Sequence, residues 1–255
     1  MHSTLGVLGG MGPLATADFY RKIVEETDAH CDQEHIPVLV YSLPDIPCRS
    51  TAIMDRGRSP LPRMIEGLRK LEQAKVEAIA IPCNTAHYWY RDLCKATSLP
   101  ILHIVDAVAV ELQRMSYQPR HLGLLATEST LAARIYHDRL AGHGYSFTVN
   151  APDDREKLVV RAINLVKQGR PQEGGHLLEL AVRKLLDRGV EAPILACTEL
   201  PVALESIGSS LLSCCVDASR ALAKAAVAWS TERAGMPAMT RAVLAPSRLA
   251  PAQSS

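Results

Sequence analysis

The sequence repeats itself at long range, and that repetition constrains the fold more than any single motif. An apolar run ending in a cysteine, Ile79-Ala80-Ile81-Pro82-Cys83-Asn84-Thr85, returns 114 residues later (83 to 197) as Pro193-Ile194-Leu195-Ala196-Cys197-Thr198-Glu199. A glycine-rich stretch, Gly6-Val7-Leu8-Gly9-Gly10-Met11-Gly12-Pro13-Leu14-Ala15, returns in looser form at an offset of 117 (6 to 123) as Gly123-Leu124-Leu125-Ala126-Thr127-Glu128-Ser129-Thr130-Leu131-Ala132. Two echoes at nearly one spacing predict a duplicated unit, with one thiol at the same address in each copy. Lobes related by a pseudo-twofold axis would turn those thiols toward each other across a cleft. That geometry suits removal of a proton from one face of a carbon and return of a proton to the other.

Strand-like and helix-like runs alternate around the echoes. Residues 5–8, 36–41, 76–81 and 101–104 read as strands, and so do 122–125, 146–149, 192–196 and 211–216. Helical patterns begin at Pro13, where Leu14, Ala17, Tyr20 and Val24 share a face, and recur over 60–73, 85–97, 106–115, 129–140, 156–167, 172–188 and 217–230. Such alternation predicts parallel sheets covered by helices. The expected fold class is α/β: two pseudo-symmetric lobes, each a mostly parallel sheet flanked by helices, with the active site in the interlobe cleft. At 255 residues the chain can bury a core in each lobe. The expected division is 1–98 plus 212–230 for the first lobe and 99–211 for the second. Residues 231–255 lack periodicity and read as a loosely ordered tail. The long irregular stretch Ser42–Ser59 has the length of a functional lid.

A net charge of +1 with 22% charged residues gives no footprint for nucleic acid or a membrane surface. No apolar run approaches the roughly 20 residues of a membrane span. Met1-His2-Ser3-Thr4 leads straight into a strand pattern, and seven cysteines without Cys-x-x-Cys spacing read as reduced thiols. The expectation is a cytoplasmic protein with no metal site.

Ligands of open parallel sheets gather beyond the carboxyl ends of the strands, where 9–12, 83–85, 127–129 and 197–199 all fall. Cys83 and Cys197 each precede a predicted helix, whose first N–H groups favour a thiolate. One thiolate and one thiol make a two-base pair. Met11 and Gly12 of the glycine turn, with Asn84, Thr85 and Thr198, offer donors to a substrate carboxylate. Arg49 reads either as a solvated loop arginine or as a carboxylate clamp. Lys167 reads as a cation suited to a helix C-terminus. Glu199 is either a first-turn carboxylate or an assistant to Cys197, and His87 is a core or surface histidine or a proton carrier. Cys31, Cys94, Cys214 and Cys215 read as small apolar fillers, while Cys48 in the lid stays open. Gly10-Met11-Gly12-Pro13-Leu14-Ala15 also fits a dinucleotide turn, but the second strand ends in Tyr41-Ser42 rather than an acid, so a carboxylate-binding turn fits better.

The segments 9–16 (Gly-Gly-Met-Gly-Pro-Leu-Ala-Thr), 81–89 (Ile-Pro-Cys-Asn-Thr-Ala-His-Tyr-Trp) and 197–201 (Cys-Thr-Glu-Leu-Pro) together resemble the aspartate racemase branch of the aspartate/glutamate racemase superfamily, over residues 4–230. The resemblance implies a cofactor-independent, metal-independent racemase of acidic amino acids, commonly a homodimer, with its last segment crossing back to complete the first lobe. It places the catalytic cysteines on Cys83 and Cys197, the loop arginine on Arg49 and the lysine on Lys167. Ligand contacts fall on Asn84, Thr85, Thr127 and Thr198. The expected assignment is Cys197 to the L face and Cys83 to the D face. The family's lid aspartate is Cys48 here, which leaves the preference open between aspartate, glutamate and broader use. Rival readings are a maleate isomerase or hydantoin racemase type of reaction and a non-catalytic ligand-binding paralogue; a dinucleotide dehydrogenase ranks last.

Overall fold

The computed structural model describes residues 3–234. Leu5–Gly9 (β1), Val38–Ser42 (β2), Ala78–Ala80 (β3) and Ile101–Leu102 (β4) form one sheet in the order β2-β1-β3-β4. His121–Leu125 (β5), Ser146–Thr148 (β6), Ala192–Leu195 (β7) and Val216–Asp217 (β8) form a second in the order β6-β5-β7-β8. Every pairing is parallel, and the helices of the crossovers cover the sheets. In chain order they include Pro13–Glu26 (α1), Arg49–Met54 (α2), Leu61–Gln73 (α3), Tyr90–Ala96 (α4), Ile104–Arg114 (α5) and Glu128–Ala132 (α6). Ile135–Arg139 (α7), Arg161–Lys167 (α8), Pro171–Leu186 (α9), Glu199–Ser206 (α10) and Ala218–Ala234 (α11) follow.

The duplication is visible residue by residue. Leu5 lies opposite Ala78 in the first sheet and Leu122 opposite Ala192 in the second, partners displaced by the two sequence offsets. Gly6 and Gly123 are required by the same neighbour: a Cβ on Gly6 would sit 2.8 Å from the Val76 side chain, and one on Gly123 would sit 2.9 Å from Val190. Cys83 and Cys197 each stand five residues beyond those paired alanines, so one register places both sulfurs at equivalent strand ends. Alternation sorts the strand residues between cores. Leu5 and Val7 join Leu122, Leu124, Ala192 and Ile194 in a central core shared by both sheets. Leu8 and Ile79 face an outer core with α3, and Leu125 and Leu195 face another with α8, α9 and α10.

Several sequence expectations need correction. The strands do not follow the expected lobe boundaries: β4 pairs with β3 in the first sheet, and β8 pairs with β7 in the second. The helix α11 does cross back, packing against α1 and α5. Residues 211–216 are a 3-10 turn over Ser210–Cys214 followed by the short β8 rather than one strand. The helical pattern over 129–140 is two helices separated at Arg134, which adopts φ +52°. The lid is not wholly irregular, since it contains α2. Residues 231–234 continue α11; the remainder of the expected tail lies outside the described residues.

Helix α1 turns a different face to the core than its periodicity predicts. Its Leu14, Tyr20 and Val24 are exposed, and the buried face carries Ala15, Thr16, Asp18, Phe19, Lys22 and Ile23. Lys22 is completely buried because its Nζ lies 2.7 Å from both Asp18 Oδ2 and Asp217 Oδ2. An ion cluster between α1 and the end of β8 thus occupies the side where an apolar stripe was expected. Burial works against the Lys22 charge, but Asp217 and Asp18 prevail and hold its ammonium above the ordinary lysine range.

Candidate active site

Cys83 follows β3 in a tight turn in which its N–H donates to Ile81 O (2.7 Å), and a 3-10 turn over Thr85–Trp89 begins two residues on. Cys197 follows β7, and α10 begins two residues later. The thiols are only 6% and 7% exposed, yet both line one polar cavity of about 30 Å³ between the lobes. Neither is sealed away from the other's space. Met11, Arg49, Asn84, Thr85 and Thr127 line the same cavity, as do Lys167, Thr198 and Glu199. Gly12 stands directly behind: a Cβ there would sit 3.5 Å from Glu199 Oε1. Gly10 makes the turn possible, since at φ +90° a Cβ would meet the Leu43 backbone at 2.3 Å.

The two thiols differ in environment. Cys197 Sγ donates to Glu199 Oε2 (3.0 Å). Burial and the Glu199 charge push this thiol well above the usual range; nearby Lys167 and the Glu199 N–H pull the other way and lose. The expectation that a helix N-terminus favours a thiolate therefore fails at Cys197, because burial, and after it a carboxylate in direct contact, outweigh it. Lys167 feels burial against its charge, but Glu199 and then the two cysteine sulfurs keep its ammonium above the ordinary range. Its position at the cavity separates it from the ordinary helix-end cation.

Arg49 stitches the lid to the glycine turn. Its Nη1 donates to Ile46 O (3.1 Å) and Pro47 O (3.2 Å), its Nη2 to Met11 O (3.4 Å), and its Nε is buried without a partner among the described residues. Hydroxyls join the lobes above the cavity. Ser50 on the lid meets Ser129 at 2.8 Å, and Thr85 meets Thr130 at 2.8 Å and Thr127 at 3.2 Å. Thr127 also caps α6 by accepting from Thr130 N–H. Thr198 donates to Pro82 O (3.3 Å), tying the Cys197 turn to the Cys83 turn.

Tyr136, Ser129, Thr130 and Ser50 escaped the sequence reading as site residues. Tyr136 on α7 is fully buried and donates to Asn84 Oδ1 (2.6 Å), which fixes the amide so that Nδ2 is the free donor. No sequence signal marked it. Ser129 and Thr130 did carry one, because they fall within the echo of the glycine turn. Cys48 and Ser50 line the cavity from the lid. His87 is a structural histidine: Ile104 N–H donates to its Nε2 (3.2 Å), so Nδ1 carries the proton donated to Cys83 O (2.9 Å). Burial lowers its pKa to about 4, so it holds the Cys83 turn while neutral. Cys31 and Cys94 are exposed rather than apolar fillers, and Cys214 and Cys215 are half-buried. Among the described residues, no group of three His, Cys, Asp or Glu is placed to hold a metal ion, and no helix is long and apolar enough to cross a membrane.

Two like sheets, each bringing one cysteine to a shared cavity, define a two-lobed α/β protein with its candidate site at the junction. The chain belongs to the Asp/Glu/hydantoin racemase family, whose model matches residues 8–226. It is 30% identical over 88% of its length, and 96% of the relative's, to the broad specificity amino-acid racemase RacX of Bacillus subtilis. Among solved structures it resembles the Picrophilus torridus aspartate racemase (TM-score 0.77, 29% identity, 90% of this chain and 94% of that one). It also resembles a putative Asp/Glu racemase from Yersinia pestis (TM-score 0.72, 26% identity, 90% and 99%).

Proposed function

We propose that this protein racemises acidic amino acids, aspartate first, with glutamate or a broader range open, by two-base proton transfer at Cα between Cys83 and Cys197. The observation that carries the reading is the shared cavity, which receives one sulfur from equivalent positions of the two sheets. One sulfur takes the Cα proton as the other returns a proton to the opposite face. Arg49 and Lys167 supply positive charge for a substrate carboxylate, and the free Nδ2 of Asn84 adds a neutral donor. Those charges also stabilise the carbanion as it forms. No step in this reading passes through a cofactor.

The cavity has room for about one water molecule. Entry of an amino acid therefore requires the lid around α2 to swing away from α6, breaking the Ser50–Ser129 bond; its return excludes water. Two copies of the chain form part of the proposal. The edge strand β2 exposes Leu39 and Val40, and the neighbouring α1 exposes Leu14, Tyr20 and Val24, an apolar surface of the kind that marks association. Sedimentation velocity tests it, and a monomer at assay concentration removes it.

Incubation of each enantiomer of each amino acid in deuterated water, read by chiral chromatography with mass detection, tests the reaction. Labelling at Cα with inversion of aspartate or glutamate is expected, together with loss of racemisation in Cys83→Ala and in Cys197→Ala. Full activity in both variants refutes the two-base mechanism. Maleate turnover with inert amino acids assigns the site to a different reaction.

A further inference from the structure

Glu199 is 3% exposed and its two carboxylate oxygens have different surroundings. Oε2 accepts the Cys197 thiol at 3.0 Å and lies 3.4 Å from Thr198 Oγ1. Oε1 is buried and has no hydrogen-bond partner among the described residues. It faces the glycine turn, where a Cβ added to Gly12 would lie 3.5 Å from it. A buried carboxyl oxygen without a donor is costly. Across the same cavity, Asn84 Nδ2 is a buried donor without an acceptor among the described residues. An open acceptor and an open donor in one cavity match the two ends of an amino acid's zwitterion.

We propose that Glu199 serves both partners of the reaction at once: Oε2 keeps the resting proton on Cys197, and Oε1 receives the substrate's α-ammonium group. The inference rests on the racemase reading above and deepens it. In the resting enzyme Cys197 is then the acid, and Cys83 is the base that acts first. The Cα–H bond breaks and its proton passes to Cys83 Sγ, while the electron pair stays on Cα and spreads into the held carboxylate. The S–H bond of Cys197 breaks, its proton joins Cα on the opposite face, and the thiolate is left on Cys197. An ammonium seated on Oε1 draws negative charge toward itself and loosens the hold of Oε2 on the thiol proton. The proton is thus released when an amine-bearing substrate is present.

The equivalent residue in the first lobe is Thr85, which follows Cys83 at the same interval and carries no charge. The difference in charge between the two turns therefore comes from the second lobe.

The test uses the full-length protein and Glu199→Gln. The pH dependence of Cys197 alkylation by iodoacetamide is followed by peptide mass spectrometry. Removing the carboxylate should move its midpoint to lower pH; an unchanged or higher midpoint overturns the proton-holding role. Competition constants for aspartate and for malate, its 2-hydroxy analogue, test the other oxygen. Wild type should favour the amine by roughly tenfold or more, and Glu199→Gln should lose that preference while still binding the dianion. An undiminished preference overturns the ammonium role. If the Gln variant does not fold, Glu199→Asp, whose carboxylate is drawn back by one methylene, should show both changes in smaller degree, and wild-type behaviour in it overturns the proposal. Wild-type protein that racemises no amino acid refutes the function, and the alkylation profile still decides the proton's position independently.

Discussion

Replacing Lys22 with Met should be among the most destabilising single changes in this protein. The side chain is completely buried, and its ammonium touches carboxylates from both sides of the lobe junction: Asp18 on α1 and Asp217 at the end of β8, each at 2.7 Å. Methionine fills nearly the same volume, so little of the loss comes from packing. With Asp217 left without its cation and Asp18 paired with Arg21 alone, the loss should be about 3–5 kcal/mol. At roughly 2–4 °C per kcal/mol for a chain of this size, the melting temperature should fall by roughly 6–20 °C. The Lys22 pKa is raised in the folded state, so its contribution is complete below the ordinary value of 10.5 and is lost as pH rises through the folded value. Melts near neutral pH therefore sample the full effect. Adding Asp18→Asn and Asp217→Asn to Lys22→Met should restore most of the loss. The amide introduced by Asp217→Asn keeps an Oδ1 acceptor for the Ser219 and Arg220 N–H groups, which donate to Asp217 at 2.8 and 3.1 Å. A single variant melting within about 2 °C of wild type, under 1 kcal/mol on the same scale, would refute the account of a paired buried cation.

Tyr136→Phe should cost about 1–3 kcal/mol by stranding Asn84 Oδ1, and should raise KM because the amide is free to turn; thermal melts and initial rates read the two effects. Ser129→Ala removes the latch to Ser50 and should raise KM several-fold, on the order of 1 kcal/mol, with kcat nearly kept; a collapse of kcat alone would contradict a latch. His87 should stay neutral with its proton on Nδ1 until pH approaches about 4, visible in imidazole ¹⁵N shifts. Because its folded pKa is depressed from 6.5, its contribution to stability is present above 6.5 and is lost as pH falls toward about 4.

The sequence carried the sheets because its echoes are backbone requirements. Gly6 and Gly123 repeat since Val76 and Val190 press on the same strand position in each lobe. Cys83 and Cys197 repeat since one register delivers both to the cavity. The cations and hydroxyls of the site were legible through the strand ends and the family resemblance. What stayed hidden depends on contacts between distant segments. Tyr136 meets Asn84 across 52 residues, and nothing local distinguishes it from any other core tyrosine. Lys22 meets Asp217 across an even longer separation, and the periodicity of α1 picked out the face of Leu14, Ala17, Tyr20 and Val24 instead. The exposed Leu14, Tyr20 and Val24 show the same failure from the other side: hydrophobic spacing locates a surface that avoids water without saying whether this chain or another covers it.

A racemase must present nearly mirror-image surroundings to mirror-image substrates, and a duplicated scaffold supplies them with one set of backbone rules. The reaction still has to begin from a single distribution of charge, since two thiols cannot both be acid and base. The structure breaks its symmetry two residues past each cysteine, where Thr85 bonds neutrally to Thr130 and Glu199 bonds to Cys197. Under the proposal above, the charge of Glu199 against the neutral Thr85 decides which sulfur rests protonated, while the equilibrium between enantiomers stays fixed by the substrate. The difference can therefore appear in kcat and KM separately for the two directions, and it must cancel in kcat/KM, because two enantiomers are equal in free energy. Measuring both directions in wild type and in Glu199→Gln distinguishes an asymmetric resting state from a merely weakened site. The first changes the two kcat values unequally, with KM compensating; the second lowers both alike.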